Sequence, residues 1–214
     1  NHKPDGKFLI VSNHGYISPK WEELFNLKQS VELIYPEELT KEKLVGVGAV
    51  LIDGGNQYEY LSRFNSTVLQ QAHENGVLIL GTSAGAMILG EFYFSAQHGT
   101  ITSEEALANP NGDRICIGSE FLKIKALKNT IVDSHYVERE REGRLDVFVK
   151  KAAHKGLHKG IGVDERTALC IQSNNKISVI GRGGAHFLIQ SAQGSSYISL
   201  YQDDTSSYSH VCER

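Results

Sequence analysis

A few short segments of this chain hold the side chains that could do chemistry. The first is Gly81-Thr-Ser-Ala-Gly85, which follows the apolar run at 77–80 and continues into the small, apolar stretch 84–89. The pattern is G-x-S-x-G between an expected strand and an expected helix, the context of a nucleophile elbow. The physical reason is steric. A sharp strand-to-helix turn brings backbones close together, so the positions around the serine must be small, and Gly81, Ala84, Gly85 and Ala86 are. At the head of a helix, backbone N–H groups could face a developing oxyanion. A phosphate loop of the GxxxxGK[ST] type is excluded because no lysine follows, and GxGxxG is absent. A small-residue turn that only packs a helix on the sheet remains the alternative at this point.

A serine nucleophile needs a base and an acid to orient it. Nine histidines compete. His2, His14, His154, His158 and His210 lie in polar or terminal segments, and His73 falls inside an expected helix. His98 and His186 have uninformative surroundings. His135, in Thr130-Ile-Val-Asp-Ser-His-Tyr136, follows an apolar stretch as Ser83 does. The segment after it, 137–149, reads as a helix in which Gly143 is a weak point. Arg141 and Arg144 share its apolar face with Val137 and Phe148, while Glu138, Glu142 and Asp146 face water. An ordinary charged surface helix explains the carboxylates. It does not explain arginines on the apolar face, which could hold a substrate carboxylate by bidentate bonds.

These residues must be positioned by a fold. Strands are expected at 7–11, 31–35, 49–52 and 77–80, and helices at 21–28, 38–45, 65–75 (with Ser66 as a cap) and 84–89. Continuous apolar strands alternating with helices indicate an α/β fold with a mostly parallel sheet covered on both faces. In such sheets ligands bind at the carboxyl ends of strands. Two of those ends are unusual here, Asp53-Gly-Gly-Asn-Gln57 and the serine turn. Short strands at 167–171, 176–180, 185–189 and 197–200 are expected to extend the sheet in antiparallel fashion. With no repeat or linker, residues 1–214 read as a single catalytic domain.

Composition narrows the function classes. The 214 residues are 40% hydrophobic and 22% charged, with a net charge of −3 and mean hydropathy of −0.27. Nothing there favours nucleic acid or an anionic membrane, and no apolar run approaches a membrane span of about 18 residues. Cys116, Cys170 and Cys212 form no CxxC, so no metal, cofactor or disulfide framework is expected and a reducing, cytoplasmic compartment is the default. The chain starts at Asn1 rather than Met. It is thus expected to be processed, cloned or trimmed, which leaves room for a signal peptide removed beforehand.

Four ordered blocks resemble the cyanophycinase and aspartyl dipeptidase (dipeptidase E) family of serine exopeptidases. Ile52-Asp-Gly-Gly-Asn-Gln57 resembles the family's GG-[DN]-Q, and Gly81-Thr-Ser-Ala-Gly-Ala86 its G-x-S-A-G-A. Asp133-Ser-His-Tyr136 with Arg139, Arg141 and Arg144 resembles D-Q-H-F-x-x-R-x-R-x-x-R. Gly160-Ile-Gly-Val-Asp-Glu-Arg-Thr-Ala168 resembles a later G-I-G-[IV]-D-E-x-T-A block. Ser134 in place of Gln and Tyr136 in place of Phe are departures, and the glycine-rich stretch after the family's first strand is not evident.

The resemblance implies a three-layer, class I glutamine-amidotransferase-like fold, with Ser83 as nucleophile and His135 as base. It implies an orienting acid between them in sequence: Glu105 is preferred, Glu104 is its rival and Glu91 a poorer third. The oxyanion hole would come from the N–H groups of Gly54, Gly55 and Ala84. Gln57, Asp133, Arg139, Arg141 and Arg144 would line the substrate pocket. The implied partner is a small peptide, aspartyl or β-aspartyl (isoaspartyl), cyanophycin being one substrate among several, and a homodimer is admitted. An esterase or amidase on the same scaffold, or a silent peptide-binding relative, are the alternatives.

Overall fold

The computed structural model describes residues 6–15, 31–202 and 204–207. The helix expected at 21–28 lies outside them, as do His2, His210 and Cys212. The protein is α/β, and its chain divides into two compact units, Asn1–Ile88 and Leu89–Arg214.

The first unit is built on a parallel sheet in the order β2-β1-β3-β4. Its strands are β1 (Lys7–Val11), β2 (Val31–Ile34), β3 (Val47–Ile52) and β4 (Leu78–Gly81). Leu9, Ile10, Val50 and Ile52 are buried, and all six residues of central β3 are covered, as a continuous apolar run requires. Edge strand β4 is less covered, with Leu78 exposed. The helix α1 (Gln57–Arg63) was not expected. Asn56 caps it, its side chain accepting from the Tyr58 N–H. The next helix, α2 (Ser66–Glu74), is capped by Asn65 rather than Ser66, and Gly76 at φ 84° terminates it. The short helix α3 spans Ala84–Met87. In place of a helix at 38–45 there is one 3₁₀ turn, Pro36–Glu38, followed by turns.

The second unit holds a six-stranded sheet in the order β12-β11-β8-β7-β5-β6. It comprises β5 (Phe92–Phe94), β6 (Ile117–Ser119), β7 (Thr130–Ser134), β8 (Lys159–Val163), β11 (Ala185–Ser191) and β12 (Gly194–Leu200). Neighbours β5–β7 and β7–β8 are parallel; β6, β11 and β12 pair antiparallel. Only two of the four tail strands therefore extend this sheet. The other two, β9 (Thr167–Ile171) and β10 (Lys176–Gly181), form a separate antiparallel sheet with β13 (Thr205–Ser207). Gly181, at φ 135°, sits so close to Arg166 that a side chain there would strike backbone.

Helices α4 (Ser103–Ala108) and α5 (Glu142–Lys151) pack together in this unit. Gly143 allows it: a Cβ there would meet Leu107 Cδ1 at 2.8 Å and Ser103 Cβ at 3.0 Å. The helix expected from Val137 begins only at Glu142, because Glu140 takes φ 50° and ends any helical run before it.

Candidate active site

In the first unit, registers Ile52↔Gly81 and Val11↔Ile52 bring the carboxyl ends of β1, β3 and β4 to one edge. The loop after β3 and the serine turn are therefore neighbours, tied by the Thr82 N–H donating to the Ile52 carbonyl at 3.0 Å. Ser83 sits at φ 50°, ψ −117°, a conformation strained for a residue with a side chain, at a cost of roughly 1–3 kcal/mol. Glycine is required on both sides. A Cβ on Gly85 would lie 2.1 Å from the Ile52 carbonyl oxygen, and one on Gly81 would lie 2.5 Å from the Gly85 carbonyl oxygen. A Cβ on Gly54 would meet Ser83 Cβ at 3.3 Å and Oγ at 3.8 Å, so the Gly-Gly turn lies against the serine side chain. The turn has the strained backbone and close approaches that an elbow requires.

Two expectations change here. The helix after Ser83 has only four residues, so what it offers is local N–H groups rather than a macrodipole. The Gly54 N–H, expected in the oxyanion hole, donates to the Asp53 carboxylate at 2.8 Å. Gln57 is buried, with its amide Nε2 3.4 Å from Met87 Sδ.

In the second unit, His135 and Glu165 follow neighbouring parallel strands, with Ser134↔Val163 in register. His135 takes φ 49°, and its Nδ1 lies 2.8 Å from Glu165 Oε1. A carboxylate on Nδ1 favours the tautomer that carries its proton on that nitrogen. The Glu165 carboxyl is held below the ordinary carboxylate range mainly by that hydrogen bond, which outweighs an opposing desolvation, with further lowering from His135, Arg139 and Arg166.

The acid expected at Glu105 has other contacts in the structure. Glu105 completes a capping box on α4, accepting from the Thr102 N–H at 2.9 Å, and also pairs with Arg114 at 2.9 Å. Glu104 is exposed on the same helix, and Glu91 accepts from the Asn129 N–H at the entry to β7. Glu165 lies within the 160–168 block, where spacing alone gives it no partner. The signal that could have found it is sheet order: residues just past the ends of adjacent parallel strands lie side by side.

The pocket arginines separate. Asp133 is 1% exposed and receives Arg144 through Nε (2.7 Å to Oδ2) and Nη2 (2.6 Å to Oδ1), and Arg141 through Nη1 (3.0 Å). Arg144, also 1% exposed, donates to the Ile101 carbonyl and lies over the stacked rings of Phe94 and Phe148. Arg141 donates to the Ser134 carbonyl, and burial lowers its pKa to about 10. Asp133, Arg141 and Arg144 thus form a buried ionic cluster joining β7 to the start of α5. Arg139, in the turn before α5, is exposed. Among the described residues no group of three or more His, Cys, Asp or Glu side chains could hold a metal ion, and no helix is long and apolar enough to cross a membrane.

A strained serine on a strand–turn–helix and a histidine–carboxylate pair at adjacent strand ends are features of α/β folds that carry nucleophile elbows. The profile of Peptidase family S51 matches residues 22–179, and the chain belongs to that family. It is 28% identical over 139 residues to cyanophycinases of Synechococcus elongatus and Thermosynechococcus vestitus, covering 63% of this chain and 39% of each relative. A Geminocystis herdmanii cyanophycinase is 28% identical over 140 residues, with 47% of its length covered. The chain thus spans less than half the length of these curated relatives. In fold it is similar to a crystal structure of a peptidase from an acI-B1 Actinobacterium (TM-score 0.58, 18% identity, 94% of this chain and 82% of that one). It is also similar to a candidate peptidase E from Listeria monocytogenes (TM-score 0.54, 16% identity, 86% and 90%).

Proposed function

We propose that this chain is a serine-type exopeptidase that hydrolyses short aspartyl or β-aspartyl peptides through an acyl-enzyme. The observation that carries the reading is Ser83 held at φ 50° between glycines that admit no side chain. In this reading Ser83 attacks the scissile carbonyl, His135 takes its proton, and Glu165 orients the imidazole and stabilises the imidazolium. The N–H groups of Ala84 and Gly55 serve the oxyanion, and exposed Arg139 meets a substrate carboxylate. Gln57 is the candidate for a polar group of the substrate on the serine's side.

The test starts with a fluorophosphonate probe. Labelling should map to Ser83 in the wild type and vanish in Ser83→Ala and His135→Ala, with circular dichroism unchanged. A silent peptide-binding relative would not be labelled. A panel of α-aspartyl and β-aspartyl dipeptides, cyanophycin and simple acyl esters then assigns the substrate. The burial of Arg141 and Arg144 favours one second reading, an esterase or amidase that makes less use of a substrate carboxylate. Turnover of neutral acyl esters above that of every acidic peptide would establish it.

A further inference from the structure

The loops carrying His135 and Glu165 are bound to each other by backbone and carboxylate bonds. The Tyr136 N–H donates to the Val163 carbonyl (3.2 Å), the Val137 N–H to Asp164 Oδ1 (3.2 Å) and the Glu165 N–H to Glu138 Oε2 (3.1 Å). Asp164, next to Glu165, is 8% exposed and also accepts from the Gly184 N–H at 2.8 Å. Tyr136, next to His135, is 5% exposed. One side chain touches both neighbours. His186 Nε2 lies 3.1 Å from Asp164 Oδ2 and 3.2 Å from Oδ1, and its ring stacks on Tyr136 with centroids 5.0 Å apart at 27°. The ring is held from behind by Ser199 Oγ at 2.8 Å from Nδ1 and by the edge of Tyr201. With Nε2 donating to Asp164 and Nδ1 accepting from Ser199, every polar atom of the imidazole is matched in the neutral state.

Close packing makes the arrangement specific. Gly162 leaves room for Tyr136, since a Cβ there would lie 2.3 Å from the tyrosine ring. Gly183 leaves room for Asp164, where the equivalent distance to the Asp164 Cβ is 2.5 Å. His186 is on β11, the strand paired with β8, so its position is set by the sheet and not by the loops it contacts.

We propose that His186 is a positioning residue for the His135–Glu165 pair: by holding Asp164 and Tyr136 at once, it fixes the separation of the two loops that present the base and its acid. The proposal rests on the reading of His135 and Glu165 given above. It concerns geometry near 3 Å, where a displacement of about 1 Å can cost on the order of 100-fold in rate.

The experiment uses His186→Phe, which keeps the stacking ring and removes the bond to Asp164, and His186→Gln, whose amide can restore a donor. Ser199→Ala is an exposed, mild change that releases Nδ1 and serves if His186→Phe does not fold. The first readout is the rate of Ser83 labelling by the fluorophosphonate. The second is the titration of the Glu165 carboxyl followed by carbon-13 NMR, which requires no activity. We expect labelling to fall roughly 10- to 100-fold in His186→Phe, with partial recovery in His186→Gln and a smaller fall in Ser199→Ala. The Glu165 titration should move up towards the ordinary carboxylate range as its contact with His135 loosens. In Glu165→Gln, adding His186→Phe should produce little further loss, whereas a general structural role would make the two losses multiply. Labelling within twofold of wild type and an unmoved Glu165 titration in a folded His186→Phe variant would overturn the proposal. If wild type is not labelled at all, the reading of Ser83 fails, and the Glu165 titration still decides the role of His186.

Discussion

Asp133 was a candidate substrate ligand from sequence, and its burial makes a different, quantitative prediction. Replace it with Asn. The side chain keeps its size, but the charge facing two buried guanidinium groups is gone, and an amide donor now confronts the N–H groups of Arg144 or Arg141. Three charge-assisted contacts between 2.6 and 3.0 Å are lost or weakened in a place where Arg144 is 1% exposed. Breaking a buried pair by removing one partner costs about 3–5 kcal/mol, because the remaining charge stays desolvated. At roughly 2–4 °C per kcal/mol for a chain of this size, the melting temperature should fall by about 6–20 °C. Thermal and urea unfolding of the purified variant measure this. Replacing Asp133, Arg141 and Arg144 together by apolar residues of similar volume should recover much of the loss, since a whole buried ionic cluster is often dispensable where half of one is not. The reasoning is refuted if Asp133→Asn melts within about 2 °C of wild type. A raised KM for acidic peptides in such a stable variant would instead restore Asp133 to the substrate.

Three further outcomes are expected. Gly85→Ala should fail to fold or express, because its Cβ would sit 2.1 Å from the Ile52 carbonyl oxygen; a soluble, normally melting variant would show that the elbow yields easily. Glu105→Gln should leave fluorophosphonate labelling unchanged and lower the melting temperature slightly, whereas Glu165→Gln should slow labelling sharply; the reverse pattern would return Glu105 to the acid's role. Because the folded Glu165 carboxyl titrates below its unfolded value, its contribution to stability is complete above the ordinary carboxylate range, near pH ~4.3, and is lost as pH falls through the folded value. Acid unfolding of Glu165→Gln should accordingly be less steep in that window, and superimposable curves for the two proteins would count against the His135–Glu165 bond.

Local physics made some parts legible in the sequence and left others hidden. β1 and β9 have the bounds expected from sequence, because each is an apolar run closed by polar turn residues. Ser83 was legible because its requirement is steric and written in the adjacent glycines. The helix α1 was missed because Gln57-Tyr-Glu-Tyr-Leu-Ser-Arg63 has no clear apolar period, and a capping asparagine starts it instead. The start of α5 was misplaced because a left-handed Glu140 cannot be inferred from a run of charges. The arginines were correctly put on the apolar face, but that face proved to be the interior, with Asp133 waiting on β7. Glu165 and His186 could not be found from spacing, since both depend on which strands are neighbours in the sheet. That is a long-range property that no short window contains.

The arginines at +4, +6 and +9 from His135 look equivalent in sequence, yet they differ in how readily they could change over evolution. Arg141 and Arg144 are anchored to a buried carboxylate, so a replacement of either one alone would be selected against through loss of stability before substrate preference came into play. Arg139 stands in the exposed turn before α5 and lacks that constraint. On the role proposed for Arg139, a change in substrate preference needs only one arginine codon, whereas single changes at the other two come at a cost in stability.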